Sequence, residues 1–138
     1  MVVPYCRREQ IHLTRGRPSK KNDQAFVEQR NWFVVRRVVG YDRYATKAAY
    51  AQLQALYVPL TWSMNYFQPV RKLVGKERVG GTVRKRFDLA QTPSQRLLAA
   101  SVLSERERQQ FDAFYLSLNP AQLQRDIETA LDRLWTLV

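Results

Sequence analysis

The sequence predicts a mainly α-helical fold with a minor β component. Three polar residues with the spacing of a capping box, Thr92, Ser104 and Asn119, each stand at a helix start. Apolar residues recur at three- and four-residue spacing beyond residue 46, as they do on one face of a helix. Alternation typical of a β-strand occurs at residues 11–15 (IHLTR), and residues 82–87 (TVRKRF) form either a short strand or an extended basic segment.

One long helix is predicted within the first forty residues. Residues 4–10 can finish a short helix, and residues 16–22 (GRPSKKN) form a loop. Asn22 and Asp23 then provide a helix start, with the acid in the first turn where the helix dipole favours it, and Gly40 is a natural stop. Apolar side chains spaced seven and eight residues apart predict one buried face for this helix: Phe26, Phe33 and Val34.

The next helix begins at residue 46 and is followed by an irregular segment. Thr46 can cap this helix, and Pro59 bends or ends it. Its apolar stripe consists of Ala49, Leu53, Leu56 and Leu60. Residues 65–86 lack a clear period, with Pro69 and the Gly80–Gly81 pair as breakers.

The last two helices carry matching apolar stripes, which predict a helical hairpin. The first stripe consists of Phe111, Phe114, Tyr115 and Leu118, and the second of Leu123, Ile127, Leu131 and Leu134. We also expect the three tryptophans in the core: Trp32, Trp62 and Trp135.

Composition excludes several classes of protein. Apolar residues make up 45% and charged residues 25%, so the chain is neither disordered by composition nor membrane-like. No apolar run approaches the roughly 20 residues of a membrane-spanning helix, and the first ten residues carry charge where an export signal needs an apolar segment. We therefore expect a cytoplasmic protein without membrane contact. One cysteine, Cys6, and one histidine, His12, cannot form a disulfide or a zinc site, so we expect a partly buried thiol and an incidental histidine.

Charge is the strongest global signal in the sequence. The formal net charge is +11, and the first 100 residues hold 19 Lys/Arg against 6 Asp/Glu, whereas the remaining residues hold 4 against 6. A short chain with this charge repels itself unless a polyanion neutralises it, so the pattern predicts double-stranded DNA as the partner. The alternative is a basic surface without function.

Two groups of residues are candidates for DNA contact. The first surrounds Glu28 on the long predicted helix, where polar and basic side chains can reach phosphates or bases: Lys20, Lys21, Gln24, Arg30, Asn31, Arg36 and Arg37. The second is a basic segment with eight cations against two acids, Glu77 and Asp88. Its cations are Arg71, Lys72, Lys76, Arg78, Arg84, Lys85, Arg86 and Arg96. The aromatic residues between them, Tyr66, Phe67 and Phe87, are expected to pack in the core or at a hinge because duplex DNA exposes no base faces.

The stretch RPSKKNDQAFVEQRN (17–31) resembles a motif of DDE-type transposases and retroviral-type integrases, P-x-S followed by V-E-x-x-N. Pro18, Val27, Glu28 and Asn31 match it, whereas Ser19 stands where an aromatic residue is expected. The similarity to bacterial insertion-sequence transposases extends through GYDRY (40–44), NYFQPVRKL (65–73) and TPSQRLL (92–98). It implies that residues 1–62 are the C-terminal end of an RNase H-like α/β domain, the integrase catalytic domain. Residues 63–138 would be a basic segment followed by a helical extension.

The same resemblance implies that Glu28 is the third catalytic carboxylate and a ligand of Mg²⁺ or Mn²⁺. A two-metal site for phosphoryl transfer needs several carboxylates, and in the family two aspartates come from strands that precede everything present here. We therefore expect the isolated chain to be inactive, with Met1 the start of a truncated reading frame. The missing N-terminal half or another transposase subunit would be its partner. Asp23 lies about 140° around the helix from Glu28 and is better placed as a dipole partner than as a metal ligand.

Two further functions remain open at this point. A stand-alone basic DNA-binding or regulatory protein would have the same charge and no catalysis. A helical interaction module would use the stripe from Leu123 to Leu134 to pair with another chain.

Overall fold

The computed structural model describes residues 2–14 and 16–138, and for Lys21 it describes the backbone alone. Helices dominate, and they are accompanied by one two-stranded antiparallel sheet, so the prediction of a mainly α fold with a minor β component is confirmed. The chain forms two compact units, one up to Asp42 and one from Arg43 to Val138. Of the residues described, none lies in a helix with both the length and the apolar character needed to span a membrane.

The first unit consists of short helical segments. Helix α1 spans Val2–Arg8, and a 3₁₀ turn at Lys21–Gln24 leads into α2 at Ala25–Asn31. A π-helical turn at Trp32–Arg36 and α3 at Arg37–Val39 continue the same helical path. It ends at Gly40, whose φ of 80° is a conformation that favours glycine. The long helix predicted to run toward Gly40 is therefore confirmed.

Burial in the first unit differs from the prediction. Cys6 and Val39 are buried, as expected for the thiol. The predicted buried face is wrong, because Phe26 is 86% exposed, Phe33 is also exposed, and no residue of α2 is buried. Trp32 is likewise exposed. The spacing of apolar residues predicts which of them share a face, but that face becomes buried only where another element packs on it.

The strand predicted at residues 11–15 is also wrong over residues 11–14, which form no regular structure. Arg15 lies outside the described residues. A strand needs a neighbour that completes its hydrogen bonds, and the described residues provide none for this segment. Ile11 and Leu13 consequently stay exposed.

Helix α4 at Lys47–Trp62 is the first core element of the second unit. Its N-cap Thr46 accepts a hydrogen bond from the Ala49 backbone N–H at 3.1 Å, which confirms the predicted cap. The predicted stripe is buried at Ala49, Leu56 and Leu60, and half-buried at Leu53. The helix continues through Pro59 to Trp62, and a π-helical turn at Ser63–Phe67 follows, so an end at Pro59 was wrong. The Pro59 ring is itself buried, and that burial offsets the hydrogen bond that a proline removes.

The main packing partner of α7 (Pro120–Trp135) is α4. Its apolar stripe is buried along its length at Leu123, Ile127, Ala130 and Leu134. The Gln52 side chain of α4 also donates to the Ala130 carbonyl of α7 at 3.1 Å. The predicted hairpin, in which α7 would pair with the preceding helix, is therefore replaced by the α4–α7 pair. Trp135 at the end of α7 is 51% exposed, so its predicted burial was wrong.

Helix α6 (Glu105–Ser117) packs through aromatic rings. Tyr66, in the π-helical turn, lies 5.2 Å from Phe111, 5.6 Å from Phe114 and 6.0 Å from Tyr115 between ring centroids. The Trp62 and Phe114 rings meet edge to face at 5.6 Å. These distances are typical of favourable aromatic pairs. Trp62 and Tyr66 are half-buried beneath the α6 rings, so the expectation of core packing is met only in part for them.

The three predicted helix starts of the C-terminal half are all confirmed. Thr92 begins α5 (Pro93–Ala99) and Ser104 begins α6, each with a reciprocal capping box. Asn119 begins α7 by accepting from two backbone N–H groups, those of Ala121 and Gln122. These signals are local in sequence, so they act without regard to the rest of the fold.

Candidate nucleic-acid interface

The basic segment forms a β-hairpin. Strand β1 spans Leu73–Val79 and strand β2 spans Thr82–Phe87, joined by Gly80 and Gly81. Strand β2 agrees with the strand interpretation of residues 82–87, whereas β1 was not predicted. Its sequence, LVGKERV, lacks the alternation of a half-buried strand, because neither of its faces is buried. The signal that could have revealed it is the glycine pair between Val79 and Thr82, which is typical of a two-residue hairpin turn.

Both faces of this hairpin are exposed to solvent. Every residue of β2 is exposed, and in β1 only Gly75 is half-buried, under the Arg86 side chain. Phe87, expected in the core or at a hinge, is exposed as well and is therefore not a core residue. A two-stranded sheet that buries neither face lacks the stabilisation that burial of apolar side chains normally provides.

The register places like charges opposite each other. Lys76 pairs directly with Lys85, while Glu77 pairs with Arg84 and Gly75 with Arg86. Directly opposite like charges destabilise a strand pair. The hairpin carries five cations against one acid, and a bound anion would relieve their repulsion: Lys76, Arg78, Arg84, Lys85 and Arg86.

An ion pair fastens the base of the hairpin. Arg96 of α5 donates to the Asp88 carboxylate at 2.6 Å and to the Val70 carbonyl at 2.8 Å. The other Asp88 oxygen accepts from the Lys72 backbone N–H at 2.6 Å. The Arg96 guanidinium, followed by the Lys72 N–H, holds the pKa of Asp88 below its usual value. Arg96 is thus already engaged in an ion pair, and its side chain is only 18% exposed, unlike the other cations counted in the basic segment.

Arg71 and Lys72 lie between the Val70–Gln91 bridge and the first strand, and both are exposed. Lys72 uses only its backbone in the contact with Asp88, so its ammonium group remains at the surface. These two residues extend the basic surface from the hairpin toward its base.

Glu28 lies on α2 in the other compact unit and is exposed. Its neighbours Phe26 and Val27 are exposed too, at 86% and 71%. Gln24 is exposed in the preceding turn, and its side chain lies beside the backbone of Gly16. The helix thus presents a carboxylate flanked by apolar side chains, with the basic loop just before it.

Asp23 closes that loop onto the helix start. Both of its carboxylate oxygens accept from the Arg17 guanidinium, at 2.8 and 2.9 Å, and one also accepts from the Arg17 backbone N–H at 3.0 Å. The Arg17 side chain, and then its backbone N–H, lower the pKa of Asp23. Asp23 lies in the first helical turn as expected, and it also has a specific partner that the sequence analysis did not identify.

The remaining predicted contacts of this unit are distributed along the same helical path. Exposed side chains are those of Lys20, Gln24, Arg30, Asn31, Arg36 and Arg37. Arg36 lies 5.0 Å from the centroid of the Tyr41 ring, and Arg37 lies 5.3 Å from that of Trp32, so both guanidinium groups stack on aromatic rings. The side chain of Lys21 lies outside the described part of the chain. Stacking orients these cations and leaves their charge available to an anion.

The described residues do not fit a two-metal site. Across residues 2–14 and 16–138, no group of three or more His, Cys, Asp or Glu side chains could hold a metal ion. Glu28 is one carboxylate, and the nearest acid in sequence, Asp23, is engaged with Arg17. One carboxylate cannot hold two divalent cations against their repulsion.

Part of the chain is similar to a known protein. No protein-family profile matches the chain, and no solved structure matches it. The uncharacterized protein y4rM of Sinorhizobium fredii is 46% identical over 86 residues, which is 62% of this chain and 25% of that protein. The matched stretch therefore spans about a quarter of the relative's length.

Proposed function

We propose that this chain is the C-terminal part of a bacterial DDE-type transposase and that its own contribution is to bind duplex DNA. In this proposal residues 1–62 are the end of an RNase H-like integrase domain, and residues 63–138 are a basic and helical extension. The observation that carries the proposal is the β1–β2 hairpin, with five cations on a ribbon whose two faces are both exposed.

The hairpin cations are free to meet phosphates. The ion pairs among the described residues involve Arg8, Arg17 and Arg96, so none of them neutralises the hairpin. The cations of the C-terminal helices differ, since they are interspersed with acids. Each cation that meets a phosphate releases condensed counterions, which provides affinity at low salt.

Glu28 is the residue that the proposal assigns to catalysis. Its exposure on α2 and its V-E-x-x-N context support a role as the third carboxylate of the family. The two aspartates that such a site needs would come from an N-terminal half of the family's type or from another transposase subunit. Because the described residues bring no group of three potential metal ligands together, the isolated chain is proposed to bind DNA without cutting it.

A binding experiment with two matched triple variants tests the DNA-binding part. Affinity for a duplex is measured over a range of salt concentrations for the wild type, for a hairpin variant and for a control. The hairpin variant replaces Arg84, Lys85 and Arg86 by Gln, and the control replaces Arg106, Arg108 and Arg125. If all three of the replaced hairpin cations meet phosphates, the slope of log affinity against log salt becomes less negative by about 2.7 in the hairpin variant and changes little in the control. Equal losses in the two variants, or affinity independent of salt, would contradict the proposal.

Nicking of supercoiled DNA in Mg²⁺ or Mn²⁺ tests the catalytic part and separates the proposal from its alternative. We expect no nicking by the chain alone, and nicking once a related N-terminal half supplies the two aspartates. In that reconstituted protein Glu28→Gln abolishes nicking and retains DNA binding, whereas the control Asp23→Asn lowers nicking much less. Binding without nicking in the reconstituted protein would favour the second candidate, a stand-alone basic DNA-binding or regulatory protein.

A further inference from the structure

The hairpin has cations on both of its faces. Directly opposite residues of an antiparallel pair share a face, and successive residues alternate between faces. The Lys76–Lys85 pair therefore shares one face with Arg78. Arg84 and Arg86 lie on the other face, with Glu77 and Gly75 opposite them. A ribbon that rests flat on a DNA backbone would use only one of these two sets.

We propose that the β1–β2 hairpin enters the major groove of duplex DNA as a two-stranded ribbon, so that its two faces meet the phosphates of the two groove walls. The inference rests on the proposed function and specifies how the DNA is held. Its direct support is the two-sided placement of charge, together with the exposure of both faces.

The dimensions of the hairpin suit this groove. Seven residues of strand reach roughly 20 Å, and the two strands lie about 5 Å apart. The major groove of B-DNA is about 12 Å wide and admits a two-stranded ribbon, whereas the minor groove is about 6 Å wide. An A-form RNA duplex has a deep and narrow major groove that side chains do not enter. Ribbon size therefore favours DNA over RNA, and the major groove over the minor.

The tip and the base of the hairpin support the same orientation. Gly80 and Gly81 carry no side chains, and beyond their chain neighbours no described atom lies within 4 Å of where a Cβ would stand on either residue, so the tip is open to solvent and small. At the base, the Arg96–Asp88 ion pair ties the ribbon to α5. Between them, four cations and one acid line a concavity of about 300 Å³ around Gly75: Lys76, Glu77, Arg84, Lys85 and Arg86.

The test compares two double variants, one for each face. Lys76→Gln with Lys85→Gln removes two of the three cations of the first face, and Arg84→Gln with Arg86→Gln removes both cations of the second. Groove entry predicts that the slope of log affinity against log salt becomes less negative by a similar amount in each double variant, about 1.8 if each replaced cation meets one phosphate. A loss confined to one of the two variants would mean that the hairpin lies flat, and would overturn the inference. Amide exchange across the strand pair shows whether each variant keeps the hairpin folded.

Dimethyl sulfate footprinting identifies the groove. Guanine N7 lies in the major groove and adenine N3 in the minor groove. We expect the wild-type chain to protect guanine N7 and to leave adenine N3 reactive, with the N7 protection lost in both double variants. Protection of adenine N3 alone, no protection at all, or equal affinity for an RNA duplex would overturn groove entry. The salt-dependent DNA binding of the proposed function would survive these outcomes, whereas absence of DNA binding would remove both.

Discussion

Substitution of Gly80 provides the most specific test of the hairpin turn. Its neighbour Gly81 serves as the control, because both glycines have open surroundings but different backbone conformations. Gly80 has a φ of 61°, in the region that favours glycine, whereas Gly81 does not have a positive φ. A positive φ at the first central residue only is the pattern of a II′ hairpin turn. Beyond the chain neighbours, no described atom lies within 4 Å of a Cβ placed on either residue, so neither substitution by alanine creates a clash with another part of the chain.

The expected cost of Gly80→Ala follows from that conformation. A residue other than glycine held in such a region costs about 1–3 kcal/mol. Gly81→Ala has no such strain, and the reduced freedom of the unfolded chain can stabilise it by about 0.4–1 kcal/mol. A hairpin of two strands is marginally stable in water, so even 1 kcal/mol lowers its folded-to-unfolded ratio about five-fold.

Two measurements check this reasoning. Amide hydrogen exchange over β1 and β2 gives the stability of the hairpin, and we expect faster exchange in Gly80→Ala than in Gly81→Ala. If the folded hairpin is the form that binds DNA, the apparent Kd of Gly80→Ala rises in inverse proportion to the fraction of folded hairpin. Equal exchange in the two variants would refute the turn assignment. Unchanged DNA affinity in a variant with a melted hairpin would refute the role of the folded ribbon.

Three other predictions concern stability. Leu134 is fully buried, whereas Leu116 is 81% exposed. In urea titrations we expect Leu134→Ala to lower the free energy of unfolding by about 2–5 kcal/mol and Leu116→Ala by less than about 0.5 kcal/mol. Similar losses in the two variants would contradict the α4–α7 core. Arg96 lowers the pKa of Asp88. The Arg96–Asp88 ion pair therefore stabilises the fold above the usual carboxyl pKa of about 4, and this stabilisation is lost as the pH falls through the lowered pKa. As the pH is lowered below about 4, the urea concentration at the unfolding midpoint should decrease in the wild type and decrease less in Asp88→Asn. An equal decrease in both proteins would exclude this ion pair as a cause. Finally, Phe26→Ala should change the free energy of unfolding by less than about 0.5 kcal/mol because the ring is exposed, and a loss above 2 kcal/mol would show that the ring is buried.

Local signals in the sequence were sufficient for the helix starts and for the stop at Gly40. The Thr92 and Ser104 side chains accept hydrogen bonds from backbone N–H groups three residues later, so the sequence of four residues is sufficient to predict each helix start. Gly40 ends its helix because few other residues adopt its φ. The Glu28 motif was visible for the same reason, since its recognition depends on sequence spacing, although its role in catalysis stays a prediction.

Burial and side-chain pairing could not be predicted in the same way. Phe26 and Trp135 are apolar and regularly spaced, but whether they are buried depends on which element packs against them. Arg96 appeared to be one more cation of a basic segment, because its pairing with Asp88 across eight residues depends on how α5 sits beside the hairpin. The hairpin itself has no apolar face, so hydrophobic periodicity could not reveal β1.

The outer edges of the hairpin also bear on how the protein is handled. Among the described residues each strand pairs on one side only, so its other side offers backbone hydrogen-bonding groups to a further strand. A second copy that docked there would bring two sets of five cations within about 5 Å, and their repulsion opposes such stacking. Screening shortens the reach of that repulsion from about 8 Å at physiological salt to about 3 Å at 1 M salt. Concentrated salt during purification would therefore lower this barrier to edge-to-edge aggregation.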